Sequence, residues 1–219
     1  MIYLDKQYKT VLKHAVAEME EKKSRFIASV MPVATEKEAL DFINEIKAKY
    51  WDATHNVYSY YIGGKSIIQR FSDDGEPSGT AGLPILEVIK RMEVRDLVVV
   101  VTRYFGGTLL GAAGLVRAYG KSASLGIEEA GIITKKLCTE VNIVIEYDLF
   151  GKVQNTLISK DYIIKDIIYE QDVEIIVYVE EGGLGHLTEL INEVTNARCL
   201  IEAGNKTYIS LDEQGKLIL

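Results

Sequence analysis

Residues 71–120, FSDDGEPSGTAGLPILEVIKRMEVRDLVVVVTRYFGGTLLGAAGLVRAYG, decide how this chain is to be read. An acidic, turn-rich loop from Ser72 to Gly82 feeds a helix through Met92. The run Leu97–Val101, five apolar residues of which four are valine, then predicts a strand buried on both faces. It stops at Thr102-Arg103-Tyr104-Phe105-Gly106-Gly107, where paired glycines allow a sharp backbone turn. Thr108 is placed to cap the next helix, whose first free amides would point back toward Gly106 and Gly107. With Arg103 beside them, those amides would make a small anion-binding corner. The helix itself, with Gly111, Ala112, Ala113, Gly114, Ala118 and Gly120, is too small-sided for helix propensity to explain it. Close backbone packing is the expected reason.

The acidic loop supplies oxygen. Asp73, Asp74 and Glu76 lie among Gly75, Pro77, Gly79 and Gly82, so their carboxylates sit on restricted turns. Three readings stand for them: self-capping of turn amides, a site for a hard cation such as magnesium, or a rim of acceptors for a basic or hydroxyl-bearing partner.

Outward from this segment, a polar helix-like stretch is expected over Tyr8–Glu21, then a strand near Arg25–Pro32. A helix over Glu36–Tyr50 and a hairpin over Asn56–Phe71 around Gly63-Gly64 follow. Gly131 ends the glycine-rich helix. Beyond it come strand (Cys138–Tyr147), helix (Leu149–Ser159), two strands flanking Tyr169–Asp172, helix (Leu184–Asn196) and strand (Cys199–Leu211), the βαββαβ order of a ferredoxin-like domain. The expected class is α+β, with domains at 1–133 and 134–219.

Four segments, Lys22–Val30 (KKSRFIASV), Ala53–Gly63 (ATHNVYSYYIG), Phe71–Leu86 and Arg103–Gly120, occur together and in order. On them the chain resembles the YigZ/IMPACT family over roughly its first 130 residues. The resemblance implies an N-terminal domain similar to the second domain of the fifth small-subunit ribosomal protein. It also implies a C-terminal ferredoxin-like domain similar to a late domain of elongation factor G. Eukaryotic relatives regulate translation by competing for an activator of a stress-responsive kinase that acts on an initiation factor. Bacterial relatives lack that pathway and have no settled biochemical role.

Composition bounds the function. A chain of 219 residues, 47% hydrophobic, can build packed cores, and no apolar run reaches the length of a membrane span. The amino terminus, with Asp5, Lys6, Lys9 and Lys13, lacks a signal peptide's apolar stretch, so a cytoplasmic location is expected. Cys138 and Cys199 are too few for a disulfide framework or zinc site, and both are expected to be buried and inert. Residues 1–133 carry 17 Lys and Arg against 17 Asp and Glu, whereas residues 134–219 carry 8 against 15. Any nucleic-acid contact must therefore come from a local basic cleft in the neutral first part. Lys22, Lys23, Arg25, Arg70, Arg103, Arg117 and Lys121 are its candidate cations. Phe26, Tyr58, Tyr60, Tyr61, Tyr104 and Phe105 are its candidate stacking groups, of which one or two would be exposed.

Several enzyme signatures fail. Gly64-Lys65-Ser66 and Gly120-Lys121-Ser122 imitate the end of a phosphate loop, but Ser59 and Leu115 stand where its first glycine is required. Gly183 and Gly185 precede a helix, yet Thr188 replaces the third glycine of a dinucleotide fingerprint. Ser78 lies outside any nucleophile elbow.

Two readings remain. In the first, the chain is a noncatalytic, translation-associated binding module without a metal or cofactor and without DNA specificity. It would hold RNA, a ribosome or a translation factor through Arg25, His55, Arg70, Ser72, Asp74, Glu76, Arg103, Gly106, Gly107 and Lys121. In the second, a small hydrolase or transferase acts on a phosphorylated compound. There His55 would meet Asp73 or Asp74 across the fold as an acid–base pair, with Glu76 as a further acid or ligand.

Overall fold

The computed structural model describes residues 5–64 and 66–218; Lys65 of the Gly64-Lys65-Ser66 motif lies outside them. Residues 8–134 form one compact unit and residues 135–218 with 5–7 another, so the strands spanning 7–11 and 132–145 each cross the division by a few residues and are counted with the unit that holds most of them. Both units mix helix and sheet, as an α+β chain should.

The first unit runs β1 (Gln7–Val11), β2 (Ala15–Glu21), β3 (Ser24–Pro32), α1 (Glu36–Lys49), β4 (His55–Ile62), β5 (Ile68–Ser72), α2 (Gly82–Arg91), β6 (Leu97–Tyr104) and α3 (Ala112–Ala130). Its sheet is antiparallel with strand order β2-β3-β6-β4-β5, so the valine strand lies at the centre. Being central, β6 is buried on both faces, which is why its apolar residues run consecutively and do not alternate. Leu97, Val99 and Val101 face α2 and α3 with Phe26, Val57, Ile85 and Ile127; Val98 and Val100 face α1 with Phe42, Ile43 and Ile46. Parity along β6 therefore sends Arg103 to the α3 face and Thr102 to the α1 face.

The helix expected over Tyr8–Glu21 is two strands instead. Ala15, Ala17 and Met19 turn inward while Val16, Glu18 and Glu20 turn outward, and the inward set pairs with Val30, Ala28 and Phe26 of β3. Alanine, glutamate and lysine favour helix in isolation, but pairing and burial against the sheet outweigh propensities of a few tenths of a kcal/mol per residue. The helix start foreseen at Thr108 is also displaced. Residues 106–111 form an open strap, and α3 begins at Ala112 behind Gly111, whose φ of 72° suits glycine. The small side chains of α3 do serve close packing, since a Cβ at Gly126 would come within 2.8 Å of the Ala28 Cβ.

The second unit carries β7 (Ile132–Ile145), α4 (Tyr147–Ser159), β8 (Ile163–Tyr169), β9 (Val173–Glu180), α5 (Leu184–Thr195) and β10 (Leu200–Leu211). Its sheet order, β10-β7-β9-β8, is that of the ferredoxin-like plan, and α4 and α5 pack on one face over Val141, Ile143, Ile175 and Val177. A two-residue strand β11 (Leu217–Ile218), unforeseen in the sequence, extends the edge beyond β10. Burial raises the Cys138 thiol pKa, as expected of an inert cysteine. Cys199 departs from that expectation: it is half-buried, with its Sγ 3.4 Å from Asn192 Oδ1.

A Gly126→Val substitution should overpack the interface of α3 with β3 and cost about 1–3 kcal/mol. Thermal denaturation checks this, with an expected fall in Tm of roughly 2–4 °C per kcal/mol for a chain of this size.

Candidate functional site

At the end of β6 the chain buries a polar cluster. Glu76 and Arg103 retain only 8% and 5% of their surface exposure. Arg103 Nη1 donates to Glu76 Oε1 at 2.6 Å, and the Tyr119 hydroxyl donates to the same oxygen at 2.7 Å. Burial, and then the bond to Glu76, push the Tyr119 hydroxyl far above its ordinary pKa, so it remains a proton donor. Arg103 also lies 5.4 Å from the ring centre of Phe26 and donates through Nη2 to Ser24 Oγ at 3.3 Å. His55, opposite Arg103 in the β4–β6 register, places Nε2 3.8 Å from Glu76 Oε1. Its Nδ1 lies 2.8 Å from the Asp74 carbonyl, which can only accept, so Nδ1 carries the proton.

The acidic loop is spent on structure. Asp73 accepts from the amides of Gly79, Ala81 and Gly82 and thereby caps the start of α2. Asp74, held at φ 46°, takes Lys47 Nζ at 2.8 Å and the Asn56 amide at 2.6 Å. Burial works to raise the Asp74 pKa, but these two bonds and the charge of Lys47 outweigh it and hold the carboxyl below its ordinary value. Ser72 Oγ accepts from the Asp74 amide. The three carboxylates thus point to three different partners. Among the described residues no three His, Cys, Asp or Glu side chains gather as a cation site, so the magnesium arrangement is not assembled.

The anion-binding corner foreseen at Gly106-Gly107 is not formed either. Arg103 is turned inward and neutralised by Glu76, and the Gly106 amide donates to Ser24 Oγ at 3.2 Å. Glycine is required at 106 because a Cβ there would land inside the backbone of Lys23, and at 107 because φ is 82°. His55 meets the Asp74 backbone and the Glu76 carboxylate; Asp73 is engaged elsewhere. Arg25 is drawn to Glu18 by two bonds of 2.6 and 2.7 Å. Arg70, on β5, lies 4.0 Å from Glu36.

Lys121 is placed differently. With Lys22 and Arg117 it lines a groove of about 280 Å³ between α3 and the β2–β3 hairpin, closed by Met19, Leu110, Gly114 and Ala118, with one acid, Glu21. Neither Lys22 nor Lys121 has a carboxylate partner among the described residues. Lys22 and Lys23 form a two-residue hairpin turn at φ 47° and 64°, positions that ordinarily go to Asn-Gly because a side chain there is strained.

Two residues of the buried cluster escaped sequence reading. Tyr119 had a signal: it shares the apolar stripe of α3 with Leu115, Ala118 and Ile127, where a hydroxyl needs a buried acceptor. Ser24 had none, since its partners, Arg103 and the Gly106 amide, reach it from the far end of β6.

Truncating Glu76 to alanine should strand the Arg103 charge and cost about 3–5 kcal/mol in denaturant unfolding. Adding Arg103→Met to that variant should recover a large part of the loss. For Asp74, the depressed pKa means that its stabilising contribution is complete above the ordinary value of 3.8 and is lost as pH falls through the lower folded value. Asp74→Asn should therefore flatten the acid limb of a stability–pH profile below about pH 4.

The sequence pattern of the Impact N-terminal domain matches residues 22–127, and a domain of unknown function (DUF1949) matches residues 143–198. The IMPACT family member YvyE of Bacillus subtilis is 45% identical over 202 residues, covering 92% of this chain and 93% of that protein. The IMPACT family member YigZ of Escherichia coli is 36% identical over 152 residues, covering 65% and 74%. A crystal structure described as a hypothetical protein superposes with a TM-score of 0.59 at 28% identity, covering 92% of this chain and 99% of that one. With the ordered motifs of the first unit and the ferredoxin-like second unit, these likenesses make the chain a member of the IMPACT family.

Proposed function

We propose that this protein is a noncatalytic, translation-associated regulator that grips the phosphate backbone of RNA, free or ribosomal, in the groove of its first unit. The observation that carries the reading is the convergence of Lys22, Arg117 and Lys121 on one groove, with Lys22 and Lys121 left unneutralised among the described residues. Cations that are not paired internally remain available to displace the counterions of a phosphate chain. The left-handed lysine turn supports it further. Each such residue costs about 1–2 kcal/mol of backbone strain, which an Asn-Gly pair would spare, so lysine here supplies charge at the expense of turn stability.

The translational setting is the one that the family resemblance implies, and the cytoplasm is the corresponding location. Among the described residues no helix is long and apolar enough to cross a membrane. The hydrolase or transferase reading finds no comparable observation in its favour, because Asp73, Asp74 and Glu76 are each committed to a different structural partner.

Fluorescence polarisation of a labelled RNA at low salt tests the groove. The Lys22→Ala/Lys121→Ala double variant should bind at least about 10-fold more weakly, and its log affinity should fall less steeply with log salt, by about two contacts' worth of slope. Unchanged affinity and slope would count against the groove.

A further inference from the structure

We infer that the aromatic end of the first sheet, continuous with the basic groove, stacks unpaired bases, so that the RNA recognised is single-stranded. This rests on the groove reading above and adds a base-contacting surface to it. The chain's single tryptophan, Trp51, follows the C-terminus of α1 and is 82% exposed. Such exposure gives so large an apolar side chain no share in the core. Phe105, at the end of β6, is 46% exposed.

Backbone and side-chain bonds hold this end in place. The Thr54 amide donates to Arg103 O at 2.9 Å, and the Phe105 amide donates to Thr54 Oγ1 at 3.0 Å. The Tyr104 hydroxyl donates to Asp52 Oδ1 at 2.8 Å, tying the residue beside Trp51 to the residue beside Phe105. From Phe105 the strap runs through Gly106, packed on the backbone of Lys23, to Leu110 on the groove wall. Stacking groups and phosphate-binding cations thus follow one another without a break.

Charge complementarity favours nucleic acid as the occupant. Of the acids near this end, Glu18 and Asp52 are bonded to Arg25 and Tyr104, and Glu20 and Glu21 flank the turn at which Lys22 and Lys23 are exposed. An aromatic face bordered by free cations fits bases joined by phosphates, and stacking is open only to bases that are not enclosed in a duplex.

Because Trp51 is the only tryptophan, the emission of the full-length protein reports on this surface alone. Adding a short oligouridylate should quench it, whereas an RNA duplex of equal length should not. Trp51→Ala should weaken oligouridylate binding by about 5- to 100-fold in polarisation, change duplex binding by less than about 2-fold, and be rescued to within about 3-fold by Trp51→Phe. If oligouridylate binds but emission is unchanged and Trp51→Ala binds normally, the stacking surface is overturned while the groove stands. If no RNA binds at low salt, both fall. Quenching by anionic lipid vesicles but not by RNA would also overturn the inference and assign this end to a membrane surface.

Discussion

Glu76 and Arg103 leave water together, and the position of everything around them follows from that pairing. Removing a carboxylate and a guanidinium from solvent costs several kcal/mol for each, which their mutual attraction repays only in good geometry. Here the geometry requires the acidic loop, β6, α3 and β4 to meet at one point, since Tyr119 shares the Glu76 oxygen and His55 faces it. Because desolvation offsets much of that attraction, the net stability gained from the pair is small, whereas losing either partner alone is costly. The cluster fixes where the strap after β6 departs, and hence where Gly106 meets the lysine turn.

The first unit divides its cations between two tasks. Arg103, Arg25 and Lys47 are drawn to Glu76, Glu18 and Asp74 and hold elements together. Lys22, Arg117 and Lys121 turn to a groove that contains one acid, Glu21. The even charge balance of this half of the sequence conceals that division, because internal pairs cancel in a count while the groove lysines have no carboxylate partner among the described residues.

Most of the architecture was legible. The consecutive valines announced a central strand, the βαββαβ order announced the second unit, and the small residues of α3 announced close packing. The β2 segment was misread because Ala, Glu and Met suit a helix, and only pairing with β3 reveals that its alternation is the signal that counts. In the site, the candidate cations do not share one place: Lys22, Arg117 and Lys121 line the groove, whereas Arg25, Arg70 and Arg103 lie against Glu18, Glu36 and Glu76. Whether Arg103 faces solvent or Glu76 depends on strand parity and on a loop 27 residues away, neither of which local spacing records. Trp51 was passed over because an isolated tryptophan after a helix carries no pattern; its significance is its exposure.

The five-stranded sheet is open, and its two borders are β2 and β5. Unpaired backbone donors and acceptors along such borders invite another chain to add a strand. Two features oppose that here: β5 is only five residues long, and β2 presents Glu18 and Glu20 outward. Self-association of this sheet through edge-to-edge pairing is thereby discouraged.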